Sequence, residues 1–65
     1  MTLEVGYEND GYFSINLIEA NDRETAELYA LAHANRYGYK LAYMNVIPEW
    51  YKEECIAKGM PLIKA

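Results

Sequence analysis

Cys55 and His33 are the only thiol and imidazole in the chain, and so the only pair that could serve as a nucleophile and its base. Nucleophilic catalysis also needs a group to orient the base. The two residues fall on different helical segments, and nothing next to Cys55 activates its thiol. A buried structural cysteine is expected. Glu53 and Glu54 are adjacent carboxylates, which point in different directions on a helix and read as a solvated face. The four glycines, 6, 11, 38 and 59, are scattered and form no phosphate loop. One cysteine and one histidine allow neither an internal disulfide nor an ordinary zinc constellation. The chain is therefore expected to have no catalytic residues, no metal and no cofactor.

Length and charge narrow the remaining classes. A chain of 65 residues is one domain, 1–65, and domains of this size are marginal alone. Without disulfides or a metal, oligomerisation or docking on a larger partner is the remaining route to stability. A hydrophobic fraction of 52% argues against disorder. No run is long enough to span a membrane. Met-Thr-Leu-Glu-Val at the N-terminus lacks the basic and apolar regions of a signal peptide, so a cytoplasmic protein is expected, and a single reduced cysteine agrees. The net charge of −4 is unevenly spread. Residues 1–27 carry seven acidic groups against Arg23 alone, whereas residues 28–65 carry Glu49, Glu53 and Glu54 against five basic groups. An acidic surface repels nucleic acid, and direct binding to it would need a basic face built from Arg36, Lys40, Lys52 and Lys58.

The elements that position these groups begin with a hairpin. Leu3, Val5 and Tyr7 alternate with polar residues, as do Phe13, Ile15 and Leu17, and period-two alternation marks strands. A three-residue loop, Asn9-Asp10-Gly11, would put all six apolar side chains on one face. A two-residue Asp10-Gly11 turn would mix the faces, so the three-residue register is expected. The other face then carries Glu4, Gly6, Glu8, Tyr12, Ser14 and Asn16. Asn21 is placed to cap a helix, with Glu24 in the capping-box position. Thr25 to Tyr37 reads as that helix, ending at Gly38. It presents Leu28, Leu31 and Ala32, together with an alanine stripe at 26, 30 and 34 that would let it lie close on the sheet. Tyr29, His33 and Tyr37 form a second stripe, either the edge of the core or an aromatic ridge. Residues 39–47 read as a third strand. Pro48 suits the first position of a short helix, Trp50 to Lys58 continue it, and Gly59 and Pro61 stop it. The expected fold is α+β, in the order β-β-α-β-α. Its three-stranded antiparallel sheet has order 2-1-3, and helix 21–37 covers the Leu3/Val5/Tyr7/Phe13/Ile15/Leu17 face.

Seven tyrosines and Trp50 exceed what so small a core can hide. Such rings are favoured at interfaces. Glu4, Glu8, Asp10 and Tyr12 on the hairpin, with Trp50, Tyr51, Glu53 and Glu54 on the second helix, are the candidate partner-binding residues. Acidic groups among aromatic rings suit a basic, nucleic-acid-binding protein surface. In size, acidity and layout the chain resembles the small phage-encoded anti-CRISPR proteins, a likeness of style with no diagnostic motif. It implies a stoichiometric inhibitor that blocks a host defence complex by protein–protein contact. The alternative is a small accessory subunit, or a homodimer joined through the third strand or second helix around Tyr43, Trp50 and Tyr51.

Overall fold

The computed structural model describes all 65 residues. The elements run β1 (Thr2–Asn9), β2 (Tyr12–Glu19), α1 (Arg23–Tyr37), β3 (Lys40–Ile47), α2 (Glu49–Ala57) and β4 (Leu62–Lys64). The α+β class holds, and three antiparallel strands stand in the expected order with β1 central. The sheet has a fourth strand, however. The order is β3-β1-β2-β4, and β4 runs parallel to β2. Gly59, at φ 91°, ends the turn after α2, and the Pro61 carbonyl accepts from the Leu17 amide at 2.9 Å. Two apolar residues after a proline are too short a run to signal a strand by their pattern. No helix is long and apolar enough to cross a membrane.

The hairpin register differs from the expected one. Asn9 pairs with Tyr12, so the turn has two residues, Asp10 and Gly11. Both have positive φ, 48° and 84°, which suits the tight turn whose twist matches that of the flanking strands. Aspartate tolerates the left-handed region because its side chain is short and polar. The register then sets Val5 opposite Asn16 and Tyr7 opposite Ser14. Phe13, Ile15 and Leu17 move to the face of Glu4, Gly6 and Glu8. The expectation of a single apolar face fails because this sheet is covered on both sides. On one side α1 packs over Leu3, Val5, Tyr7 and Ile18; on the other, α2 reaches Glu4 through Tyr51 and buries Cys55. The turn gives a direct test. Asp10→Val should cost about 1 kcal/mol, because a β-branched residue is strained at positive φ. In a three-residue loop the left-handed demand would fall on Gly11 alone, and thermal melting would detect no change at position 10.

The N-cap of α1 is Asp22, one residue later than the expected Asn21. Its Oδ1 accepts from the Thr25 amide at 2.8 Å, and that bond holds the Asp22 carboxyl below its usual range. Gly38 closes the other end at φ 71°. The face that α1 turns to the sheet is the alanine stripe alone: Ala26, Ala30 and Ala34 are buried. Leu28 and Leu31, which lie off that stripe, are 59% and 49% exposed. Their position on the helix explains this. Residues 26, 30 and 34 lie on one line, and 28 and 31 fall well to its side at 100° per residue. Small residues at the contact bring the helix backbone close to β1 and β3, and larger ones would hold it off.

Candidate interaction surface

The expected acidic patch is divided by the fold. Glu4 is half-buried, and its Oε2 accepts from the Tyr51 hydroxyl at 3.5 Å. That carboxylate is the main reason the Tyr51 phenol is pushed up from its usual range. Glu8 is exposed, opposite Lys40 on β3. Asp10 is exposed at the turn. Tyr12 is 79% exposed but lies on the α1 face, away from Glu4 and Glu8, because it pairs with Asn9. Glu53 and Glu54 are exposed on α2, and Trp50 is 64% exposed beside the half-buried Tyr51. The structure thus joins Tyr51 to Glu4 and separates Tyr12 from both hairpin glutamates.

An ion pair completes the attachment of α2. Lys52 Nζ donates to Glu19 Oε1 at 3.0 Å and stands 3.7 Å from Glu49. The bond lowers the Glu19 carboxyl and raises the Lys52 ammonium relative to their usual values. A depressed carboxylate stabilises the fold above its unfolded value and loses that contribution as pH falls through the folded one. A raised ammonium loses its contribution only in strong alkali. Acidification below the ordinary glutamate range should therefore loosen α2 first. The emission of Trp50, the sole tryptophan, should shift before the far-UV spectrum changes, and Glu19→Gln should abolish that early acid step. A single coincident transition in both proteins would exclude this role for the pair.

His33 is the hub of an aromatic cluster at the hairpin end of α1. Its ring lies 5.1 Å from Tyr7, 4.9 Å from Tyr37, 5.9 Å from Tyr39 and 6.4 Å from Tyr29. The Arg36 guanidinium sits over Tyr37 at 5.6 Å. The Tyr29/His33/Tyr37 stripe is thus the rim of the core, built onto the buried Tyr7. The Tyr7 hydroxyl and Asn16 Oδ1 are buried and approach one another without closing a hydrogen bond. Burial is the chief cause that raises the Tyr7 phenol. Cys55 is buried on the opposite side of the sheet from His33, so the two cannot act together. No three His, Cys, Asp or Glu side chains converge.

The largest solvent-facing apolar feature is one that the pattern of residues did not single out. Leu28, Leu31 and Ala32 of α1, with Tyr39 and Leu41 beside β3, line an open groove of about 560 Å³. The groove meets β3 at Leu41, and the outer edge of that strand has no neighbouring strand. Val46, on the same face of β3, is 45% exposed. The signal was present in the sequence as two leucines off the line of the alanine stripe. A scan against protein-family models found no match to the chain, and searches of curated proteins and of solved structures found none either.

Proposed function

We propose that this chain is a cytoplasmic protein-interaction domain, without catalysis of its own, whose contact surface is the leucine flank of α1 and the adjoining β3 edge. The observation that carries this reading is the orientation of α1, which buries its alanine stripe and leaves Leu28 and Leu31 about half exposed. Contiguous exposed apolar surface marks interaction sites. An uncovered strand edge beside it offers backbone hydrogen bonds to a partner. The free, buried thiol of Cys55 agrees with a reducing compartment.

A narrower reading, the inhibitor that meets a basic surface of a nucleic-acid-handling complex, needs a continuous acidic contact face. The hairpin register gives it less support, since Glu4 is engaged by Tyr51 and Tyr12 faces the other way. The two readings separate by site-specific photo-crosslinking in cells that make the protein. A photoreactive residue at position 31 is expected to give a discrete adduct, and one at position 12 none. An adduct at 12 with none at 31 would move the contact to the hairpin.

A further inference from the structure

We infer that the partner of this surface is a second copy of the chain, joined by antiparallel pairing of the two β3 edges about a two-fold axis. The inference rests on the interaction surface proposed above. Three observations choose this occupant. First, the two edges of the sheet are unlike. β4 has three residues and carries Lys64, which is how exposed edges are ordinarily protected. β3 has eight residues, and from Leu41 to Ile47 it holds neither a charge nor a proline. Its register shift against β1, opposite Gly6 and Tyr7, leaves Tyr43–Ile47 as the regular part of the edge. At about 3.4 Å per residue, β3 spans about 27 Å, nearly the 31 Å longest extent of the molecule.

Second, the charges along this wall suit an inverted copy of themselves. The only charge on β3 is Lys40, at its start. At the other end, Glu49 opens α2 just after Ile47 and is largely exposed, with Lys52 Nζ 3.7 Å away. Antiparallel pairing sets Lys40 of each copy toward Glu49 of the other, twice, and keeps the two Lys40 side chains far apart. A two-fold contact requires such self-complementarity. Third, the core is small. Only 12 of 65 residues are buried, and three of these are the α1 alanines. Pairing the edges would carry Leu28, Leu31 and Val46 out of water and join two four-stranded sheets into one of eight strands.

Sedimentation equilibrium of the full chain, across a concentration series, tests this. The parent is expected at twice its 7.5 kDa. Leu31→Glu and, separately, Val46→Lys are expected to halve the observed mass with unchanged far-UV circular dichroism, since both positions are exposed and neither supports the core. A parent that sediments as a monomer throughout overturns the dimer, and so does a dimer that both variants leave intact. A monomeric parent that still gives a photo-adduct of another mass at position 31 would keep the interaction surface and assign it to a different protein. A monomer with no adduct would reject both.

Discussion

Ala30→Leu is expected to destabilise the domain by about 3 kcal/mol, while Leu31→Ala, one residue away, should change stability by less than about 0.5 kcal/mol. Hydrophobicity alone would rank these the other way. Ala30 has no exposed surface and lies at the centre of the stripe that meets Leu3, Val5 and Tyr7. A leucine there adds three carbons to a close contact between a helix and a sheet, and close-packed interiors accommodate such insertions only by shifting backbone. Leu31 is about half exposed and lies outside the core cluster, so its truncation opens no cavity there. For a small domain with a stability of a few kcal/mol, the first change approaches complete unfolding. Urea titrations of both variants, at concentrations below the onset of association, give the comparison. Equal losses would mean that α1 is rotated from the orientation described.

Gly6→Ala should be the second large effect, at about 2 kcal/mol. A Cβ at this position would stand 2.5 Å from Cε2 of Tyr43 and 2.9 Å from Cζ of Phe13. These rings stack at 6.1 Å over the glycine, on the face that α2 leaves partly open. Neither ring is locked in the core, so the clash is relieved by rotating them outward, which forfeits their mutual contact and the cover they give the sheet. The cost is thus that of an aromatic pair worth about 1 kcal/mol plus the apolar area it shields. A double-mutant cycle isolates this origin. In a Tyr43→Ala background the same Gly6→Ala change should be close to neutral. If it remains as costly there, the glycine is required by the backbone at the register shift, and not by the rings.

The parts of the fold that were legible in the sequence are those governed by local chemistry. The hairpin showed in alternation and in Asn9-Asp10-Gly11, α1 in its Ala-rich composition and glycine stop, α2 in Pro48 and Gly59, and the central place of β1 in the crossover that α1 must make. What stayed hidden depends on contacts between elements. The hairpin register was expected on the assumption that one face of the sheet is dry and the other wet. With α1 on one face and α2 on the other, Leu17 and Val5 are both fully buried on opposite sides, and segregation of apolar residues no longer decides. β4 is a strand only because Leu62–Lys64 finds the open side of β2. The candidate acidic residues were read as a patch from that register, and when the register changed, Tyr12 left it. The alanine stripe was visible at 26, 30 and 34. What composition could not show is that the stripe alone would reach the sheet, leaving Leu28 and Leu31 for another surface.

Amide hydrogen exchange across the two sheet edges, followed from dilute to concentrated protein and in extract of cells that make it, tests the interaction surface most directly. Outward amides of β3 between Tyr43 and Ile47 should exchange freely in the dilute chain and slow markedly once the surface is occupied, while β4 and the hairpin turn stay unchanged. Exchange at β3 that is the same in dilute solution, concentrated solution and extract would contradict the assignment of this edge and the α1 leucines as the site of contact.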